Sequence, residues 1–304
     1  MNNEYRKQFC KINNLPIKMF ESPVFESRLS LIDKQYNAFE LLRLFESEIT
    51  EFKNIEEYLA FYNQFKETVI THITSKDSYK EFNSKDFNIY KNSISSIRKQ
   101  SLYQPSRDGK YFLSFDLTEA NFNAMKYFDN DLIDGKDSYE EFISQFTDKQ
   151  HLIKSKYVRQ VIFGTCNPSR QTTIEKYLMT LVYNEVSKKY DDSYIVHFSE
   201  DEIVLELKED PELEKNVLSI AKENGFKIKV EKFKLIKIDG TDGYIKVRPD
   251  NSIKLKCANA LMVPFIIRAI ENSETEELDK VFIHEGFQCK FVEAPAISVP
   301  ELNY

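Results

Sequence analysis

The sequence predicts an α+β fold in which a helical N-terminal region precedes a sheet of β-α-β-β-α-β order. Three observations support this prediction. Apolar residues recur at helical spacing through much of the first hundred residues, a turn signal follows at 103–110, and short apolar strand-like runs alternate with helical segments from 110 to 238. This order is that of the ferredoxin-like supersecondary unit, with extra helices inserted in the first crossover.

The N-terminal region contains two segments with helical periodicity. Residues 30–52 and 54–73 place large apolar side chains three and four positions apart, which is typical of helices with one buried face. Pro105 and the Asp108–Gly109 pair then favour a turn. The expected domains are a helical region over 1–104, a second domain over 105–256 and a C-terminal element over 257–304.

Strand and helix signals alternate after the turn. Residues 210–225 carry the strongest of them, because Asp210 suits the N-cap, Pro211 the first helical position and Gly225 the end of a helix. The predicted elements are a strand over 110–116, helices over 117–129, 138–146, 149–164 and 172–190, a hairpin over 194–207, a helix over 210–225, a strand over 226–238 and a helix over 263–272.

Composition restricts the class of protein. A chain of 304 residues with 41% hydrophobic content has enough apolar material for one or two cores. No run approaches the roughly 18 apolar residues of a membrane span, and the first residues lack the apolar core of a secretory signal. We therefore expect a soluble, intracellular, cytoplasmic protein with no membrane partner. The 4 cysteines and 4 histidines do not have the spacing of zinc ligands or of a disulfide framework.

Charge is distributed unevenly along the chain. The formal net charge of −7 argues against a protein that coats nucleic acid. Residues 226–256 nevertheless contain nine Lys or Arg and four acids, a local charge of +5. A solvated strand face and a strand that faces phosphates both fit this pattern.

Acidic residues fall at two places that the predicted topology brings together. Asp116 ends the first strand, and Glu200, Asp201 and Glu202 occupy the turn between the second and third strands. Because the first and third strands are neighbours in such a sheet, both positions lie at one edge. Two-metal phosphoryl transfer needs oxygen ligands on rigid elements that hold two Mg²⁺ ions about 3.5–4 Å apart.

Ordinary structural roles also fit these acids. Asp116 suits the N-cap of the following helix, and acidic residues in a turn are commonly solvated. Register within the hairpin decides whether Glu200 or Asp201 faces Asp116. The sequence leaves both questions open.

Three stretches, in order, resemble the palm of nucleic-acid polymerases, in particular family A DNA polymerases and the single-subunit phage-type and mitochondrial RNA polymerases. FLSFDLTEANFNAMKYFD (112–129) is similar to the first palm motif, a strand that ends in a metal-binding aspartate. KSKYVRQVIFGTCNPSRQ (154–171) is similar to the fingers-helix motif K-x-x-x-F-G-x-x-Y, with Arg159 at the lysine position and Asn167 at the tyrosine position. YIVHFSEDEIVLEL (194–207) is similar to the third motif, a hairpin with an H-D-E tip.

The resemblance implies roles for individual residues. Asp116 and Asp201 would be the catalytic, metal-binding aspartates, with Glu200 as a further ligand and Mg²⁺ or Mn²⁺ as the cofactor. Asn121, five positions after Asp116, would screen the sugar of the nucleotide. The expected contacts to the nucleotide phosphates are Arg159, Lys156 and Arg170. The expected contacts to nucleic acid are Lys227, Lys229, Lys232, Lys234, Lys246 and Arg248.

The same resemblance implies a domain plan. Residues 105–256 would be a palm with fingers-like helices at about 117–190, and residues 257–304 would be a reduced thumb or a packing element. The sequence departs from the family at His197, which lies four positions before Asp201 instead of beside it. The stretch between the second and third motifs is also much shorter than in those polymerases.

The sequence supports three functions. The first is a template-dependent nucleic-acid polymerase of viral or plasmid type, which acts on DNA or RNA with nucleoside triphosphates and would work in the host cytoplasm if viral. The second is a catalytically inactive palm-like subunit of a larger polymerase or replication complex, which the acidic net charge and imperfect motifs favour. The third is a nucleotide cyclase-like palm enzyme, which uses the same metal pair; the fingers-like helix disfavours it.

Overall fold

The computed structural model describes residues 1–91, 93 and 101–304. The protein is α+β, with a helical N-terminal region followed by an antiparallel sheet. The helices are α1 (Asn3–Ile12), α2 (Val24–Tyr36), α3 (Ala38–Ile49), α4 (Ile55–Thr74), α5 (Asp77–Ser84), α6 (Asn88–Lys91), α7 (Ala120–Phe128), α8 (Tyr139–Ile143), α9 (Gln150–Ile153), α10 (Lys156–Gly164), α11 (Pro168–Val186), α12 (Pro211–Glu223) and α13 (Val263–Ile270). The strands are β1 (Tyr111–Leu117), β2 (Ile195–Phe198), β3 (Glu202–Leu205), β4 (Ile228–Lys237), β5 (Tyr244–Val247), β6 (Ile253–Lys256), β7 (Val281–His284) and β8 (Phe287–Lys290).

Strands β1 to β6 form one sheet in the order β2-β3-β1-β4-β5-β6, and each neighbouring pair is antiparallel. The central strand β1 pairs with β3 on one side and β4 on the other. Asp116 therefore lies opposite Glu202 of β3 and opposite Lys229 of β4. The predicted pairing of the first and third strands of this sheet is confirmed.

Successive side chains of β1 point to opposite faces of the sheet, so the two faces have different surroundings. Leu113 and Phe115 join the main hydrophobic core, together with helices α11 and α12, which contact the sheet. Ser114 and Asp116 point to the opposite face. On that opposite face Phe112 belongs to a smaller apolar cluster with Leu102, while polar residues lie around Asp116.

Capping residues and apolar periodicity in the sequence predicted some helices correctly. The helix predicted over 210–225 is confirmed as α12, and its N-cap Asp210 accepts a hydrogen bond from the amide of Leu213 at 3.2 Å. The cap satisfies one of the backbone donors that the first turn of a helix leaves unpaired. The helix predicted over 54–73 is confirmed as α4.

The single helix predicted over 149–164 is wrong, because the chain forms two helices there, α9 and α10. Ser155 separates them: its Oγ accepts a hydrogen bond from the amide of Val158 at 3.1 Å and so begins a new helix. The same hydroxyl donates to the carbonyl of Ile12 at 2.7 Å. Ser155 therefore both caps α10 and links it to the N-terminal region.

The N-terminal helices pack against α9 and α10. Helices α1 and α4 contact α10, and α3 contacts α9. Glu48 of α3 accepts hydrogen bonds from the amides of Gln150 and His151 at 2.6 and 2.9 Å, and it lies 2.6 Å from Nδ1 of His151. The N-terminal region and the second half of the chain thus share one hydrophobic core.

Candidate active site

A cavity of about 380 Å³ opens at the end of β1. The turn between β1 and α7, helices α10 and α11, the β2–β3 turn and strand β4 all contribute to its lining. The charged residues in the lining are Asp116, Glu119, Lys156, Arg159, Glu175, Asp201 and Lys229. The three motifs singled out in the sequence therefore meet at one cavity.

Asp116 is the acid that β1 carries into this cavity. Burial raises the pKa of its carboxyl to about 6, and the negative charges of Glu202 and Asp201 act in the same direction. Lys156 and Lys229 oppose this shift. Burial and the two neighbouring acids thus disfavour the charged form of Asp116, and a cation bound beside it would favour that form.

The turn between β2 and β3 points its acids in different directions. Ser199 shapes the turn, because its hydroxyl donates to Asp201 at 3.0 Å and accepts from the amide of Glu202 at 3.1 Å. Asp201 lines the cavity. Glu200 forms an ion pair with Lys176 of α11 at 3.5 Å. The sequence left open whether Glu200 or Asp201 faces Asp116; in the structure Asp201 is the one that lines the same cavity as Asp116.

Glu202 belongs to a separate polar network on the sheet. It accepts a hydrogen bond from Ser114 at 2.6 Å and lies 3.6 Å from the ammonium group of Lys246. The buried Lys246 also lies 3.3 Å from Glu231, which Arg248 contacts at 2.9 Å. Although burial acts to raise the pKa of Glu231, Lys246 and Arg248 lower it to about 2. Lys246 and Arg248, predicted to contact nucleic acid, thus neutralise acids within the sheet.

Glu175 of α11 is a site residue that the sequence analysis missed. Its side chain lines the cavity although only 8% of the residue is exposed. Burial raises the pKa of Glu175 to about 7, the charges of Asp201 and Glu200 add to the shift, and Lys176 opposes it. The sequence did contain a signal for this role: Glu175 follows Gln171 by four positions, which places an acid on the buried side of an amphipathic helix.

Helix α10 supplies two of the three predicted phosphate contacts. Lys156 and Arg159 both line the cavity, and Asn121, predicted to screen the sugar, lines it from the start of α7. Arg170 lies elsewhere: its guanidinium stacks on the ring of Phe87 at 3.6 Å and donates to a backbone carbonyl of the N-terminal region. The structure therefore does not bring Arg170 to the cavity.

The lysines of β4 are divided between the two faces of the sheet. Lys229 lines the cavity beside Asp116. Lys232 points to the helical face and pairs with Glu214 of α12 at 2.8 Å, and Lys234, on the same face, donates to a carbonyl near the C-terminus at 3.0 Å. Lys227, before the strand, donates to the carbonyl of Asp137 at 2.7 Å. The six predicted nucleic-acid contacts therefore do not form one surface.

The donor set at the cavity suits a magnesium ion that arrives with a phosphate ligand. Within residues 1–91, 93 and 101–304, no group of three or more His, Cys, Asp or Glu side chains is arranged to hold a metal ion by itself. Mg²⁺, however, is commonly held by one or two carboxylates together with water and substrate phosphates. Asp116 and Asp201 supply two carboxylates on neighbouring strand ends, so the residues fit such an ion.

No protein-family model matches the chain, and no curated protein or solved structure is significantly similar to it. Any proposal about function therefore depends on the residues around the cavity and on the motifs that carry them. Within the part of the chain that the structure describes, no helix is both long enough and apolar enough to cross a bilayer.

Proposed function

We propose that the protein is a palm-type nucleotidyltransferase, a template-dependent nucleic-acid polymerase that uses nucleoside triphosphates and two Mg²⁺ ions. The observation that carries the proposal is the meeting of Asp116 and Asp201 with Lys156 and Arg159 around one cavity. The antiparallel order β2-β3-β1-β4 supports it, since a ferredoxin-like palm would have the same order. Viral or plasmid replication in the cytoplasm of a cell is the setting we propose.

The proposed reaction transfers a nucleotidyl group. The oxygen of a 3′ hydroxyl attacks the α-phosphorus of the triphosphate and gives up its proton to solvent, the bond from that phosphorus to the bridging oxygen breaks, and pyrophosphate leaves. Asp116 and Asp201 would hold the ions, which when bound would activate the hydroxyl and neutralise charge on the leaving group. Arg159 and Lys156 would bind phosphate oxygens of the nucleotide, and Asn121 would lie near its sugar.

One observation favours a second candidate function. All six basic residues predicted to contact nucleic acid make intramolecular contacts: Lys227, Lys229, Lys232, Lys234, Lys246 and Arg248. A protein with few basic side chains available for phosphates depends on other subunits to hold nucleic acid. A catalytically inactive palm-like subunit of a larger polymerase or replication complex would have this property.

Nucleotide incorporation tests the proposal. Purified protein, a primed DNA or RNA template, Mg²⁺ and labelled ribo- or deoxyribonucleoside triphosphates should give extended product. Asp116→Asn and Asp201→Asn should each reduce the rate by about 10²-fold or more, because each removes charge needed by the transition state. The exposed Asp242→Asn serves as a matched control and should leave the rate unchanged.

Other outcomes select the rival functions. A cyclic nucleotide formed from ATP or GTP without a template would identify a cyclase. Absence of both incorporation and nucleotide binding, together with co-purification of larger polymerase subunits, would identify the inactive subunit.

A further inference from the structure

We infer that Glu119 is a positioning residue, which orients the guanidinium of Arg159 toward the phosphates of a nucleoside triphosphate. The inference rests on the proposed function of the cavity and concerns an ion pair that the three motifs do not assign.

Glu119 joins three elements around the cavity. It stands at the start of α7 with a left-handed backbone, φ 48°, an uncommon conformation for a residue with a side chain. One carboxylate oxygen lies 3.2 Å from Nη1 of Arg159 on α10, and the other accepts a hydrogen bond from the amide of Tyr139 on α8 at 3.1 Å. The carboxylate thus links the turn after β1 to both helices.

These contacts restrict the orientation of the Arg159 guanidinium but leave some of its N–H donors without an acceptor in the described part of the chain. The guanidinium carbon lies 5.8 Å from the centre of the Tyr139 ring, and 15% of the side chain is exposed. Among the described residues its buried Nε–H finds no acceptor. An arginine presents five donors in a planar fork that matches phosphate oxygens. Glu119 occupies one side of the fork, and an oxygen of a ligand in the cavity would complete the pairing.

Charge and position predict opposite effects for the loss of this carboxylate. A negative charge beside an anion site disfavours the anion, so charge alone predicts that Glu119→Gln binds phosphates more tightly. If Glu119 orients Arg159, the same substitution releases the guanidinium and weakens binding. Glutamine keeps an oxygen that can accept from Tyr139, so α8 retains its contact.

A double-mutant cycle on the full-length protein measures the effect. The probe is inorganic triphosphate without metal, titrated by calorimetry into the wild type, Glu119→Gln, Arg159→Gln and the double variant. We expect the Kd to rise about tenfold for Arg159→Gln and about fivefold for Glu119→Gln, with no further rise in the double variant. In nucleotide incorporation, Glu119→Gln should raise KM by a similar factor and change kcat by less than about twofold.

Glu140→Gln, an exposed acid on α8 next to Tyr139, is the matched control and should bind like the wild type. Arg159→Lys provides a second test that does not alter Glu119: the charge remains but the fork is lost, and most of the affinity should disappear. Unchanged or tighter binding by Glu119→Gln, or an effect that adds to that of Arg159→Gln, would overturn the inference, as would wild-type affinity in Arg159→Lys.

The two proposals fail in different ways. A wild-type protein that binds triphosphate but incorporates no nucleotide contradicts the polymerase alone, because the binding cycle is still measurable. A wild-type protein that incorporates nucleotide but does not bind metal-free triphosphate overturns the role of Glu119 alone, and one that does neither overturns both.

Discussion

Two carboxyl groups at the cavity act against the stability of the fold. Asp116 and Glu175 have pKa values raised to about 6 and about 7, mainly by burial. In the unfolded chain these groups lose their protons near their ordinary values of about 4. As the pH rises from about 4 to 7, the unfolded state therefore binds fewer protons than the folded state, and stability falls.

Glu175→Gln should stabilise the protein at alkaline pH, because the amide removes a charge that is disfavoured in the folded state. We expect the free energy of unfolding to rise by about 2 kcal/mol at pH 8 and to change little at pH 4, where the carboxyl is protonated in the folded state and largely so in the unfolded state. Urea denaturation at the two pH values measures the difference. Glu185→Gln is the control: this acid is also buried on α11 but pairs with Lys188, so its loss should not stabilise. An equal effect of Glu175→Gln at both pH values would contradict the assignment.

Asp116→Asn should remove the response of the fold to Mg²⁺. A ligand that binds only the folded state stabilises it by about 1.4 kcal/mol at ten times its Kd, so Mg²⁺ added together with a nucleoside triphosphate should raise the Tm of the wild type at pH 8 above that with the triphosphate alone. The amide that replaces the carboxylate would carry no charge to attract the ion, and the rise should disappear. Thermal denaturation followed by circular dichroism measures both proteins, with Asp242→Asn expected to respond like the wild type. An Mg²⁺ response that survives in the Asp116→Asn protein places the ion elsewhere.

At the scale of elements, the alternation of β4 distinguishes lysines that the sequence alone treats as equivalent. Lys229 faces the cavity, whereas Lys232 faces α12. Lys229→Gln should weaken binding of a primed template and reduce the slope of log K against log salt by about 1, because one phosphate contact is lost. Lys232→Gln should leave the slope unchanged. Fluorescence anisotropy across a salt series measures both variants, and equal slopes for the two would argue against a nucleic-acid contact at Lys229.

The elements with strong local signals could be predicted from the sequence. The caps and apolar periodicity of α12 and α4 are contained within their own residues. The division between α9 and α10 was missed although Ser155 is a residue type that favours an N-cap, because the apolar periodicity of 149–164 continues through it. The strands β5 and β6 were also missed, because each has only four residues and, unlike the equally short β2 and β3, neither belongs to a stretch that resembles a known motif.

The site was predictable to the extent that it follows from strand order. The pairing of β1 with β3 brings Asp116 to the turn that contains Asp201, and both positions carry motif signals. Glu119 and Glu175 acquire their roles only from contacts between separate helices. Arg170 is a residue for which a local signal was misleading. Its position near a helix start suggested a phosphate contact, but its guanidinium stacks on Phe87 and lies away from the cavity.

At the scale of the whole molecule, a buried ion cluster joins the two ends of the chain. Arg28 of α2 lies 3.1 Å from the carboxylate of Asp279, and Arg268, just inside the end of α13, lies 2.8 Å from its other oxygen. Arg28 also donates to backbone carbonyls of the segment around Asp279. Helix α2 thus contacts the C-terminal segment, whereas α1 and α4 contact α10, the helix that carries Arg159.

Asp279→Asn should therefore destabilise the whole fold. Asp279 is 1% exposed, and its neutralisation leaves the buried Arg28 without its counter-charge, whereas Arg268 keeps its ion pair with Glu276 at 2.7 Å. Breaking one partner of a buried ion pair costs about 3–5 kcal/mol, and we expect about 3 kcal/mol because Arg28 retains its carbonyl acceptors. Urea denaturation by circular dichroism measures the free energy, and hydrogen exchange of α2, α10 and α13 reports which elements lose protection. If the N-terminal helices α1 to α4 unfold as one unit, exchange should rise in all three helices. Faster exchange confined to α13, or a loss no larger than that of the exposed Asp242→Asn, would show that the cluster stabilises only the C-terminal segment.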